Sequence, residues 1–264
     1  MQKIILSMML INSVVFAKVS IEYAVNIVGM SMEYKEYKDG VLLNGEDSGY
    51  TDLAGAEFNY DYKIQTKDTN EYNAISLNLM TLGGETVYTG SYLGSNLGYG
   101  SLVSITSNKI YDLEIGFAHA YQQISSFDIR VALGVGYRFW RRELSAQQIE
   151  DYEWFSLRPS ISFSYKYNNF CIIPKIEYQY GLQPRMRATG IKDEFKLGSA
   201  NIMEFSLPLE YALNKHFSLR GAYIYQYQKI QESNVVYDNS GMGYFEPQSK
   251  AYNQYIKFGF LFKY

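Results

Sequence analysis

Tyr252-Asn-Gln-Tyr-Ile-Lys-Phe-Gly-Phe-Leu-Phe-Lys-Tyr264 ends the chain on a strict alternation. Ile256, Phe258, Phe260, Phe262 and Tyr264 share one side of an extended strand; Lys257, Gly259, Leu261 and Lys263 share the other, because successive strand side chains point to opposite faces. A soluble protein finishing on five exposed bulky side chains would carry an aggregation hazard. The pattern makes physical sense where the apolar face meets lipid and the strand pairs with the first one to close a barrel.

The other end agrees. Met1-Gln-Lys3 is a short basic start, Ile4 to Phe16 is mostly apolar, and Val15-Phe16-Ala17 offers a small-x-small site. This three-part form predicts a cleaved signal peptide over 1–17 and a single barrel domain over 18–264. Alternation begins at once after it, at Val19, Ile21, Tyr23, Val25 and Ile27. No later run approaches the ~18–20 apolar residues of a membrane helix. A chain of this kind crosses a bilayer only as a closed barrel, which satisfies every backbone group between strands.

Composition supports that architecture. The 27 Tyr and 15 Phe suit strands and interfacial girdles. The lone Cys171 excludes an intrachain disulfide framework. A formal charge of -3 argues against nucleic acid and selects no charged ligand.

Strands are expected near 18–38, 49–66, 71–92, 108–123, 126–142, 152–168, 169–183, 194–213, 216–231 and 250–264. That makes about ten, with eight or twelve as the alternatives. Short connections fall at Lys67–Asn70, Ser125, Asn168-Asn169 and Asn214-Lys215. Long polar ones fall at Asp39–Ser48, Gly83–Lys109, Glu143–Asp151, Pro184–Asp193 and Glu232–Ser249. The Gly- and Tyr-rich stretch 83–109 is expected to be a long external loop, with or without a hairpin of its own. An even strand count puts both chain ends on the short-turn side.

These features resemble the small bacterial outer-membrane β-barrel proteins, of OmpA or omptin size. The resemblance implies an all-β, closed, antiparallel transmembrane barrel, multi-pass in the outer membrane, with short periplasmic turns and longer extracellular loops. It implies that Phe258, Phe260, Phe262 and Tyr264 serve as an assembly signal, read by the barrel assembly machinery. The other partners implied are outer-membrane lipid and lipopolysaccharide.

Parity assigns an inward set of both signs. The acids are Glu22, Glu57, Asp61, Glu114, Asp128, Glu177, Glu204 and Glu210; the bases are Lys63, Arg130, Arg138, Arg142, Arg158, Lys175, Arg220 and Lys257. Two readings stay open: a structural network that fills the interior, and a narrow pore with a transverse field. At the outer rim, Arg138, Arg141 and Arg142 precede Glu150, Asp151 and Glu153, with Trp140 and Trp154 beside them. They read as an interfacial anchor, or as a patch that grips lipopolysaccharide phosphates.

No catalytic constellation emerges. Omptins use an Asp pair and an Asp-x-His motif, but here Phe117 and Asn214 stand two positions before His119 and His216. His216-Phe-Ser218 matches the bare His-x-Ser spacing of the barrel lipid A deacylases, at the periplasmic end of a strand. No cofactor or metal signature is present. The expectation is a porin-like or structural surface protein with a narrow, charge-lined lumen, not an enzyme. The alternatives are an adhesin or surface-recognition barrel with a sealed lumen, and a hydrolase acting on lipid or peptide.

Overall fold

The computed structural model describes residues 17–66, 70–91, 98–124, 126–238 and 240–264. The expected signal peptide lies outside these apart from Ala17, as do most of the turn 67–70 and Ser125. The strands are β1 (Ala17–Lys38), β2 (Val41–Asp47), β3 (Leu53–Thr66), β4 (Glu71–Gly90), β5 (Leu102–Ile124), β6 (Phe127–Ser145) and β7 (Gln148–Tyr167). They continue as β8 (Phe170–Ile172), β9 (Lys175–Ala188), β10 (Phe195–Lys196), β11 (Ala200–Ala212), β12 (Phe217–Ile230), β13 (Val236–Tyr237), β14 (Gly243–Tyr244) and β15 (Gln248–Lys263).

Antiparallel pairing runs β1-β3-β4-β5-β6-β7-β9-β11-β12-β15 and then returns to β1. Ten long strands therefore form the wall. The short strands β2, β8 and β10 extend its rims, and β13 pairs with β14 in the last long connection.

The closing seam runs from Glu22↔Lys263 to Tyr37↔Gln248. Tyr264 is fixed at both backbone groups: its amide donates to the Ile21 carbonyl at 2.8 Å and its carbonyl accepts from the Ile21 amide at 2.9 Å. On the outside Tyr23 stacks on Phe262 at 4.9 Å, and Phe217 on Phe260 at 5.3 Å. Gly259 is required at this seam, because a Cβ there would lie 1.9 Å from the Val25 carbonyl oxygen.

The outer connections are shorter than expected, because the wall continues past the apolar belt. Residues 39–48 are not a loop: Asp39 and Gly40, with φ of 50° and 82°, make a two-residue turn into β2. Both central residues of such a turn need positive φ, which favours Asp-Gly. Within 83–109, residues 83–90 and 102–109 are likewise two strand ends, paired from Gly83↔Lys109 to Gly90↔Leu102. Residues 143–151 close tightly, with Ser145 opposite Gln148. Beyond the belt the outward face is mixed, with charged residues such as Arg141 and Asp151 standing among apolar ones such as Val87, so the alternation that marks a strand in lipid weakens.

The apolar face also changes sides. In β1, Val25 and Ile27 point outward and are exposed, whereas Val28, Met30, Met32 and Tyr34 point inward and are buried. In β6, Val131, Leu133 and Val135 are outward, and Trp140 above them is inward. In β7, Phe155 and Leu157 are outward, and Trp154 and Tyr152 are inward. Where lipid surrounds the wall, the outside is apolar and the inside polar. Where water surrounds it, burial operates inward as in any soluble core.

Candidate functional site

The lumen is the natural place to look for a site, and it has two unlike ends. Toward the short turns is a polar cavity of about 270 Å³. It reaches the rim at Lys166 and Lys263, and its upper wall includes Glu114 and Lys175. Its charges are mostly matched across strands: Lys63 with Glu22 at 2.7 Å, and Lys263 with Glu210 at 2.9 Å. Arg130 grips Asp61 through two bonds of 2.8 and 3.0 Å. Asp128 accepts from the Ser164 hydroxyl at 3.0 Å. Arg220 donates to Asn59 at 3.3 Å.

Above lies a smaller cavity of about 60 Å³, with room for a few waters. Lys257 pairs with Glu57 at 2.6 Å and Lys175 with Glu177 at 2.6 Å. Arg158 makes a two-bond pair with Asp112, at 2.7 and 3.1 Å, and reaches Glu114 at 3.5 Å. Glu204 accepts from Gln226 at 3.0 Å. Arg138 is buried and bonded by neutral groups, Gln226 at 3.3 Å and Tyr255 at 3.5 Å.

The next layer is dry. Met30, Leu53, Leu82, Ile110, Trp140, Trp154, Ile202 and Ile224 pack into one buried cluster across the lumen. Trp140 lies against Tyr34 edge-on at 5.3 Å and is stacked with Tyr152 at 5.1 Å. Its indole N–H donates to Asn108 at 2.8 Å.

Outermost is a cap built around Arg142, whose side chain is 1 % exposed. Its guanidinium reaches Glu46 at 2.7 Å, Glu150 at 2.8 Å, Glu36 at 2.9 Å and the Tyr152 hydroxyl at 3.0 Å. The connection after β12 folds over this group: Val236 joins the buried cluster and the Tyr152 hydroxyl donates to Glu246. Burial pushes the Glu246 carboxyl well above the usual carboxylate range, and the charges of Glu36 and Glu150 push it the same way.

Two of the sequence assignments need revision and two carboxylates need adding. Arg138 and Arg142 face the interior and are buried, so neither can touch lipopolysaccharide. Even-numbered positions of β6 point inward at this height. Only Arg141 of the three faces out, held by Asp151 through bonds of 2.7 and 2.8 Å. The carboxylates Glu36 and Glu46 were not anticipated. They come from the β1–β2 hairpin, about a hundred residues from Arg142, and only their inward parity hinted at them.

The outer collar holds further ion pairs. Glu153 accepts from Arg187 at 2.6 Å and pairs with Arg185 at 2.9 Å. A hydrogen bond from Arg187 holds the Glu194 carboxyl below its ordinary range. The two histidines stand apart from the outer mouth. His119 is on the outward face against Asn73 at 3.1 Å, and His216 in a short turn meets the Lys263 carbonyl at 2.9 Å. Among the described residues no three His, Cys, Asp or Glu side chains are grouped as metal ligands.

No protein-family model matches the chain, and no curated protein matches it. Solved structures do. The outer-membrane protease OmpT from Escherichia coli is similar with a TM-score of 0.57 and 10% identity, over 93% of this chain and 96% of that one. The outer-membrane protein OprG from Pseudomonas aeruginosa has a TM-score of 0.40 and 14% identity, over 93% and 95% of the two chains. The TodX monoaromatic hydrocarbon channel deltaS2 mutant has a TM-score of 0.44 and 8% identity, over 93% and 90%. The chain has the fold of a small bacterial outer-membrane β-barrel. At 10% identity, the likeness to OmpT shows the fold alone.

Proposed function

We propose that this chain is a multi-pass outer-membrane barrel that does not conduct and that works at the cell surface through its outer hairpins. The observation that carries this reading is the dry layer of Met30, Leu53, Leu82, Ile110, Trp154, Ile202 and Ile224 between the polar cavity and the outer mouth. An ion crossing that layer would shed its hydration and meet few polar groups to replace it. The Arg142 cap and the folded connection above it add a second closure. The charged lumen then serves mainly as a structural network, which sets the porin-like reading aside. Neither histidine lies where a surface substrate would be cut, which favours a binding or structural role over hydrolysis.

Phe258, Phe260, Phe262 and Tyr264 then act as the assembly signal for the barrel assembly machinery, and Arg141 stands at the lipopolysaccharide level. Planar-bilayer recording tests the proposal. The expected outcome is no stepwise conductance from protein whose fold is verified by heat-modifiable migration on gels; a stable open channel overturns it.

A further inference from the structure

Along much of the outer collar the outward cations are matched. Lys109 pairs with Glu143 at 3.2 Å, Arg141 with Asp151 at 2.7 Å and Arg187 with Glu194 at 2.7 Å. The closing strands differ. Lys35 of β1 stands directly opposite Lys250 of β15, and Lys250 directly opposite Lys229 of β12. All three are on the outward face, because their chain neighbours Glu36, Ser249, Ala251, Gln228 and Ile230 are buried toward the interior. Like charges directly opposite one another destabilise a sheet. Lys35 has Glu33 beside it, and the Lys250 ammonium lies over the Tyr37 ring at 5.4 Å. Neither Lys250 nor Lys229 has a carboxylate partner among the described residues.

The wall beneath this row shows what kind of anion would fit it. On β12 and β15 the outward face stays aromatic higher than on β1. Tyr225 and Tyr227 follow one another up β12, and Tyr227 meets Tyr252 of β15 at 5.2 Å. Lys229 and Lys250 are the next outward residues. Below the tyrosines, Ile256 and Phe258 are apolar and exposed. From Phe217 to Lys229 the strand advances twelve residues. At ~3.3 Å per residue and ~40° of tilt that is about 30 Å along the membrane normal, the depth of the hydrocarbon core. The row therefore stands at the outer headgroups.

We infer that Lys229 and Lys250, with Lys35 beside them, form a binding site for the phosphate groups of an outer-leaflet glycolipid. Neighbouring ammonium groups donate to one phosphate, which removes their mutual repulsion. The sugar lies against Tyr225, Tyr227 and Tyr252, and the acyl chains run down past Ile256 and Phe258. A soluble anion would gain nothing from the tyrosine and apolar tiers, which favours a lipid over free phosphate. The site rests on the outer-membrane placement proposed above, which membrane fractionation tests separately.

Full-length protein folded in detergent micelles tests the site against three probes: diphosphorylated lipid A, the same lipid stripped of phosphate, and inorganic pyrophosphate. Native mass spectrometry should show the phosphorylated lipid bound. Lys229→Gln combined with Lys250→Gln, shown to be folded by heat-modifiable migration, should weaken that binding about thirtyfold. Lys229→Arg with Lys250→Arg should preserve it, and Arg141→Gln should change it little, since Asp151 already holds Arg141. Stability should shift with opposite sign in the two conditions. Without lipid the double Gln variant should resist urea at least as well as the unaltered protein; with the phosphorylated lipid it should resist less well. Unchanged binding by the double Gln variant, equal binding of the dephosphorylated lipid, or an Arg141→Gln loss as large as the double variant's would each overturn the site. Pyrophosphate bound as tightly as the lipid would overturn the choice of a lipid.

Discussion

The two halves of this barrel solve opposite solvent problems with one set of strands. Below Ile27, lipid lies outside, so Val25 and Ile27 face out while Glu22 and Asn26 face in. Above it, water lies outside, and Met30, Met32 and Tyr34 of the same strand turn the burial inward. The lower lumen is wet because its polar groups have water or each other as partners. The upper lumen is mostly apolar below the Arg142 cap, because its residues there are those of a soluble core. The contrast teaches that a barrel's interior character follows the medium around it as much as its strand number.

The largest effect should come from the cap. Arg142→Met leaves Glu36, Glu46 and Glu150 facing one another without their shared cation, and is expected to cost about 3–5 kcal/mol in unfolding free energy, read as a lower urea midpoint. In the dry layer, Leu53→Ala should cost about 2–5 kcal/mol through the cavity it leaves, in the same assay. If either variant acquired conductance without unfolding, the layer it belongs to would be identified as the gate.

Effects in the lower lumen should be smaller. Lys63, partly exposed beside Glu22, can leave its partner to water; Lys63→Met should change stability by about 1 kcal/mol or less. Ser162→Cys in the polar cavity should react with a small aqueous maleimide when folded, in a Cys171→Ser background, and Ile202→Cys in the dry cluster should not. Equal labelling would erase the distinction between the halves.

The subtlest test is pH. Because the folded Glu246 carboxyl titrates above its unfolded value, its folding contribution is fully present below the ordinary carboxylate pKa. It is lost as pH rises through the raised one. Glu246→Gln should therefore flatten the decline in stability as pH rises above the ordinary carboxylate range. An unchanged slope in urea titrations would show that Glu246 is not the group responsible.

Much of the lower half was legible in the sequence. Period-two alternation in lipid is unambiguous, so the face of Val131, Leu133 and Val135 and the inward charges Lys63, Arg130 and Lys257 followed from parity. The upper half was harder. There the outward face is polar or mixed, so Gly83–Lys109 reads as loop although residues 83–90 pair with 102–109. The partners of Arg142 come from separate hairpins, and a local reading cannot bring Glu46 to it. The inversion at Ile27/Val28 was present in the residues, as Gly29 and Ser31 replace the bulky outward side chains. Recognising it requires asking which medium each stretch of wall meets.

The dry layer has one further consequence, at the scale of the cell. If the barrel is blind-ended as proposed, it is a cup and not a tube, and adding copies of it would leave the small-solute permeability of the envelope unchanged. Antibiotic entry then sets no ceiling on its abundance. Available membrane area becomes the limit, and the protein can be packed densely wherever its outer hairpins are useful.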